Sequence, residues 1–287
     1  MSDVNTMRHP VLANPSLWLG LTATLIFVVL ALVSIVWTPY AIADIDIGRR
    51  FLAPSAAHWL GTDNLGRDMA SLVMAGTLTS FVVAALAVLI GAGLGVPLGL
   101  AAAAWGGPLE WLVLRFSDFV FAFPAIIVAI LITSLYGPGA INAIIAIGIF
   151  NIPIFAHVAR GGALSIKTLD FVAAARLAGL GNGAIAYRHL LPNILSLLIV
   201  QGTIQLSLGI LSEAGLSYIG LGTQPPATSL GLMLREAQST FLLHPWLTLV
   251  PGLSIVLIVI ALNLAGDGLR DAIDPRLKAQ GMQNGAA

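Results

Sequence analysis

Charge is rationed along this chain in a way that outlines its architecture. Five stretches contain no Asp, Glu, Lys or Arg: His9 to Ala43, Met69 to Leu109, Phe119 to Ala159, His189 to Ser212 and Ala237 to Gly266. A helix needs about 20 mostly apolar residues to cross a bilayer, and each stretch reaches that length. The third is long enough for two crossings and carries Gly137-Pro138-Gly139 near its middle, a turn signal. The pattern therefore predicts an all-α integral membrane protein with six transmembrane helices, at 17–37, 78–104, 111–135, 141–160, 194–213 and 246–266. Gly95-Val-Pro97 offers a cut in the second run. Each half would be short for a span, so one long helix is expected there. The first run exceeds the roughly 7–15 residues of a signal-peptide core and is expected to be retained.

Composition agrees with this pattern. Only 9% of the 287 residues are charged and 58% are hydrophobic, whereas soluble domains carry about 25% charged residues. Formal net charge is zero, which argues against a nucleic-acid partner. With no cysteine, disulfides, zinc–thiolate sites and thiol catalysis are excluded.

Six spans place both termini on one side. That side receives Arg8, Arg115, Arg160, Lys167, Arg176, Arg188, Arg270, Arg276 and Lys278, and the other receives Arg49, Arg50, Arg67 and Arg235. The richer side is expected to be cytoplasmic. The chain then divides into a cytoplasmic tail (1–16), a first span (17–37), an extracytoplasmic segment (38–76), a core of five spans (77–266) and a second cytoplasmic tail (267–287), with a cytoplasmic loop at 161–193 inside the core.

That loop holds the candidate chemistry. Asp170 to Ala178 is rich in helix-forming Ala and Leu. Gly179, Gly181 and Gly183 permit a turn. Ala184 to Leu191 can form a second helix, which Pro192 is expected to stop. Small Ala173, Ala174 and Ala175 before the turn make a compact knob that fits a groove, with Arg176, Arg188 and His189 beside it. A connector of about 30 residues is long for an undedicated loop. A short helix docked on a partner transmits rigid-body motion into its two flanking spans.

Other positions carry less. Asn151, Gln201 and Gln205 are polar residues deep in the later spans; they either face a translocation path or hydrogen-bond a neighbouring helix. Glu213 is expected at the membrane interface near the external end of the fifth span. Gly91, Gly95 and Gly99 line one helix face and suit close packing within this chain or at a dimer seam. Pro124 and Pro153 are expected to kink their spans, either to widen a pore or as packing devices. Arg115 and Asp118 can pair at i,i+3. In the extracytoplasmic segment, Gly61, Thr62, Asp63, Gly66, Arg67 and Asp68 read as a structured cap with turns and local ion pairs. The segment 214–245, with Pro225-Pro226, is expected to form no long helix and to dip against the bundle mouth.

What the chain lacks narrows its function. There is no G-x-x-x-x-G-K-[ST] phosphate loop, so ATP hydrolysis by this chain is excluded. No nucleophile–base set and no metal motif stand at working spacing, and no mid-span carboxylates mark an ion-coupled secondary transporter.

Three motifs carry a family resemblance. Ala174-Ala175 to Gly179, followed by Leu191-Pro192, resembles the EAA loop of bacterial ABC-importer permeases. His58-Trp-Leu-Gly-Thr-Asp-Asn-Leu-Gly-Arg-Asp68 resembles the signature of the second permease subunit of the dipeptide, oligopeptide and nickel importers. Leu216-Ser-Tyr-Ile-Gly-Leu-Gly-Thr-Gln-Pro-Pro226 and Gly266 to Leu277 resemble the same family. The likeness covers about residues 15–278, and one position departs from it, where Ala173 stands at the motif's usual Glu. The resemblance implies a type I ABC importer permease fold in the bacterial inner membrane. It implies a homologous second permease subunit, two cytoplasmic ATPases that carry the ATP and Mg2+, and a periplasmic binding protein delivering peptide, a nickel complex, glutathione or another small solute. No cofactor is expected on this chain, and 170–192 is expected to be its coupling segment.

Overall fold

The computed structural model describes residues 15–273. The chain forms α1 (Pro15–Val33), α2 (Met69–Trp105), α3 (Gly107–Phe121), α4 (Ala125–Tyr136), α5 (Ala140–Ile166), α6 (Asp170–Leu177), α7 (Asn182–Ile185), α8 (Leu191–Tyr218), α9 (Leu230–Ala237) and α10 (Trp246–Ile273). Among the described residues, five helices are long and apolar enough to cross a membrane, and α3 with α4 makes a sixth candidate, bent by 80°. The parts of the two tails at 1–14 and 274–287, with Arg8, Arg276 and Lys278, lie outside the described residues.

The helices outrun their charge-free stretches because a charge ends an apolar run without ending a helix. The second span begins at Met69 rather than 78, and Asp68 caps it by accepting from the Ser71 N–H; a side-chain acceptor satisfies one of the donors that every helix start leaves free. It runs unbroken through Pro97 to Trp105, as expected. Likewise α10 passes Asp267, Arg270 and Asp271, so it continues into the expected tail, while α1 stops at Val33 rather than 37.

Two predicted elements are corrected. The third span is not one helix over 111–135. Ala122, Phe123 and Pro124 separate α3 from α4, and Pro124 with ψ 128 starts α4 rather than kinking a continuous helix; proline supplies no N–H for the preceding turn. Conversely, Pro192 does not stop the helix before the fifth span. From Ala186 to Leu190 the backbone widens into a π-turn, in which the Leu191 N–H reaches back to Ala186 O. The wider turn carries α7 into α8 with Pro192 in the first turn, where a missing N–H costs least.

Small residues set the packing at the centre. A Cβ on Gly91 would stand 2.2 Å from the Asn151 Cβ, one on Gly95 2.3 Å from Ile152 O, and one on Gly99 2.2 Å from Ala156 O. The glycine stripe is thus the seat of α5 on α2 within this chain. Helix α8 lies antiparallel to α2, with Gly209 against Ala84, and α1 lies on α10, with Gly20 against Ala265. The outer faces stay apolar and exposed, as at Leu25, Leu89, Leu131 and Leu253, which suits contact with lipid chains.

Candidate functional site

Helix α6 is a knob with two faces. Val172 and Ala175 are buried against Ile185, Leu190 and Phe155, whereas Ala173, Ala174, Arg176 and Ala178 face outward and Leu177 is 91% exposed. The helix closes in a full Schellman motif: Leu180 N–H donates to Ala175 O and Gly179 N–H to Arg176 O, with Gly179 at φ +82°. That left-handed conformation is the one glycine adopts without penalty. Asp170 opens the helix and Arg176 closes it, each sign matching the helix dipole. Arg188 and Pro192 are exposed and His189 half-buried, its ring 6.4 Å from Phe171. Tyr187, 73% exposed, adds an aromatic to the same end.

The end of α5 that leads into the knob is tied to α2 and α3, and α7 is seated on α2, by contacts that patterning alone does not announce. Lys167 Nζ donates to Ala103 O and Ala104 O in the last turn of α2, where free carbonyls favour a cation. Arg160 Nε donates to Glu110 Oε1 at 2.8 Å, tying α5 to the first turn of α3. A Cβ on Gly183 would lie 3.5 Å from the Trp105 ring. Glu110 shares the gap between the second and third charge-free runs with Arg115 and Asp118, and nothing in its spacing pointed to Arg160.

Beneath the α3–α4 break lies a cavity of about 500 Å³ between α3, α4, α5 and α8. Phe121, Phe123 and Phe150 line it with aliphatic side chains, together with Asn151, Gln205 and Ser212. Of the expected polar residues, the structure brings Asn151 and Gln205 together here, and Gln201 is not among the lining residues. The aromatics at the break escaped sequence reading because the break itself did.

At the opposite end the cap is a closed hydrogen-bonded unit. Asp63 accepts from Leu65 N–H and Arg67 N–H, each at 2.8 Å, and from Arg67 Nε at 2.6 Å. Arg67 also reaches Glu236 on α9 at 2.6 Å. Burial lowers the Arg67 pKa, but the facing Asp63 and Glu236 carboxylates outweigh it and raise it, so this bridge stays cationic. Asp68 holds His58 Nδ1 at 2.9 Å and caps α2. Thr62 Oγ1 donates to Arg49 O and accepts from Leu52 N–H. Gly61 and Gly66 take φ +78° and +80°, and a Cβ on Gly66 would stand 1.8 Å from Asp46 O. All six signature residues thus hold the cap together.

Glu213 corrects its expectation. It is fully buried and accepts from Ser80 Oγ at 2.7 Å, Ser217 Oγ at 2.6 Å and Thr223 Oγ1 at 3.2 Å. The hydroxyls come from α2, α8 and the 219–229 turn, so the carboxylate joins three segments instead of facing an interface. Arg115 and Asp118 do meet, at 3.9 Å, but are 71% and 64% exposed, and such pairs contribute little.

Residues 95–279 match the family model for the binding-protein-dependent transport system inner membrane component. The chain belongs to this family. The permease is 39% identical to the glutathione transport system permease protein GsiD of Pectobacterium atrosepticum over 88% of this chain and 86% of that one. It is also 39% identical to the dipeptide transport system permease protein DppC of Alkalihalophilus pseudofirmus, over 91% and 86%. With GsiD of Escherichia coli O6:K15:H31 the identity is 41% over 91% and 87%. In fold it superposes on a chain of the methionine ABC transporter MetNI in an inward-facing conformation, with TM-score 0.59 and 21% identity over 72% of this permease and 98% of that chain. It is a multi-pass permease subunit of an ABC importer with the type I permease fold, and it is a transport component, not an enzyme.

Proposed function

We propose that this permease forms one half of a peptide pathway, paired with a homologous permease subunit, driven by two separate ATPases that carry the ATP and Mg2+, and loaded by a periplasmic binding protein. The observation that supports coupling best is the exposed, glycine-terminated α6. Its outward face combines small Ala173, Ala174 and Ala178 with Leu177 and Arg176, a shape suited to a groove on a partner. Ala173 removes the carboxylate usual at that position, so docking rests on shape, Leu177 and the cations Arg176 and Arg188.

The same reading sets the orientation. Arg115, Arg160, Lys167, Arg176, Arg188 and Arg270 lie towards the α6 end, and Arg49, Arg50, Arg67 and Arg235 towards the cap end. The positive-inside rule puts α6 and both termini in the cytoplasm, and makes the cap periplasmic, facing the binding protein. Asn151 and Gln205 serve as pathway residues in this reading. Gln201, outside the cavity, has weaker support.

Dipeptides or oligopeptides are the proposed cargo, and the name of the DppC relative supports this. Glutathione is the second reading, which the two GsiD relatives favour. Purification from the native membrane in mild detergent, followed by ATP-driven uptake of labelled dipeptide and labelled glutathione in proteoliposomes, tests both. Recovery of a second permease and ATPases supports the assembly, and the solute taken up decides the cargo. Recovery of the chain alone, with uptake that ignores ATP, overturns the proposal.

A further inference from the structure

The membrane cavity holds an unmet chemical demand. Asn151 is 5% exposed and Gln205 3%, yet the Asn151 Nδ2 group has no hydrogen-bond partner. Gln205 likewise makes no side-chain hydrogen bond among the described residues. A buried amide without a partner costs free energy comparable to a lost hydrogen bond. The third polar lining residue makes no such demand, because Ser212 Oγ donates to Leu208 O at 2.8 Å. Asn151 cannot retreat either, since its Cβ rests against Gly91, where an added Cβ would stand 2.2 Å away. Two carboxamides on α5 and α8 therefore share one cavity, and among the described residues no side-chain hydrogen bond satisfies the Asn151 Nδ2 group or Gln205.

The remaining wall restricts what can satisfy them. Among the described residues, no Asp, Glu, Lys or Arg lines the cavity, and Phe121, Phe123 and Phe150 supply aromatic surface. A charged group entering such a site would leave its solvation without gaining a counter-ion. A neutral carbonyl or amide meets no such penalty, and the carboxamides of Asn151 and Gln205 supply both donors and acceptors. A volume of about 500 Å³ falls within the usual range of small-molecule sites, about 300–1,000 Å³.

We propose that the cavity between α3–α4, α5 and α8 is a solute-binding station specific for neutral amides bearing an apolar group, with Asn151 and Gln205 as its recognition residues. This rests on the reading that the chain walls the pathway, and goes further by fixing which part of a solute it reads. The station holds internal amide and apolar side-chain groups and ignores charged ends, so those ends must be met elsewhere in the assembly.

The absence of cysteine makes a direct test available. Ile154→Cys and Ser212→Cys, which line the cavity without supplying its recognition amides, and the control Gln201→Cys each give this chain a single thiol. Each variant is assembled with its partner subunits in lipid nanodiscs and labelled with a small neutral maleimide, and modification of this chain is read by mass spectrometry. N-acetylphenylalaninamide is the neutral probe and free phenylalanine the charged comparator. The expected result is labelling at 154 and 212 that slows about tenfold at roughly ten times the half-protecting probe concentration, with no protection by phenylalanine and none at 201. Adding Asn151→Leu or Gln205→Leu to Ser212→Cys is expected to leave labelling intact and remove the protection. Equal protection by both compounds, protection by neither, or protection that survives both Leu variants overturns the station. Failure of 154 and 212 to label in the assembly also overturns it, by showing that a partner helix fills the cavity. ATP-driven uptake by the wild-type assembly is measured in parallel. If wild-type uptake is absent, the pathway reading fails. If it is present without protection, only the station fails.

Discussion

At the residue scale, the cap shows what a single buried carboxylate does. Asp63 organises a turn by accepting three hydrogen bonds, and it also holds Arg67, which spans 169 residues of sequence to Glu236. Truncating one member of a nearly buried ion pair leaves the other uncompensated, a cost of about 3–5 kcal/mol. Asp63→Ala is therefore expected to lower the yield of folded permease, measured by size-exclusion recovery in detergent, without changing which solute is carried by the protein that survives. Normal yield with altered solute preference would move the cap from structure to recognition. Glu213 makes a parallel case. Glu213→Leu strands three buried hydroxyls, whereas Glu213→Gln keeps an acceptor oxygen for them; thermal melting is expected to show a clear loss for Leu and a smaller one for Gln. None of these long-range partners was legible in the sequence. The spacing of Asp63, Arg67 and Asp68 announced local pairs, but only the tertiary fold brings Glu236 to Arg67 or Ser80 to Glu213.

At the element scale, glycines on one helix separate into two kinds. Gly95 faces Ile152 O at 2.3 Å from a would-be Cβ, whereas Gly93, two residues away, meets nothing within 4 Å. Gly95→Val is expected to cost about 3 kcal/mol or more, since overpacking against backbone cannot be relieved by a rotamer change, and Gly93→Val is expected to leave expression unchanged; detergent stability of the pair measures the difference. Spacing by four residues predicted the stripe, and the structure supplies its target, α5. The elements that eluded patterning are those where backbone hydrogen bonding departs from the α register: the break at Ala122 to Pro124 and the π-turn before Pro192. Hydropathy is blind to both, because the apolar character runs on while the backbone changes. The tie between Arg160 and Glu110 gives an element-scale prediction as well. The two side chains are 25% and 26% exposed, so Glu110→Ala should cost only about 0–1 kcal/mol of stability. It is expected to lower solute moved per ATP hydrolysed in proteoliposomes, because α3 loses its anchor to the helix that leads into α6. Unchanged stoichiometry would reduce the pair to packing.

At the scale of the whole molecule, the distribution of charge made most of the architecture legible: the spans, the α6 loop and the cap stand where the charge-free runs leave room for them. The cavity was not legible, because it exists only between helices that the sequence places separately. Coupling belongs to this scale too. Gly179→Val forces a β-branched side chain into φ +82°, a conformation costing about 1–3 kcal/mol for such residues, and reshapes the turn that ends α6. The variant is expected to insert and assemble but to lose uptake, while binding-protein-stimulated ATP hydrolysis falls with it. Normal uptake would show that α6 is not the docking element.

Helix α2 has 37 residues. At 1.5 Å per residue it is about 55 Å long, against a hydrocarbon layer of about 30 Å. Its first residue follows the Asp68 cap and its last, Trp105, lies beside Gly183 in the α6–α7 region. One continuous rod thus joins the two ends of the permease, with no loop between them to absorb a displacement. In the proposed assembly, such a rod lets a displacement at either end reach the other, and thermodynamic linkage requires the exchange to be mutual. Under the proposed docking, whatever factor an ATPase at α6 applies to a binding protein's grip on the cap, the binding protein applies to the ATPase's grip on α6.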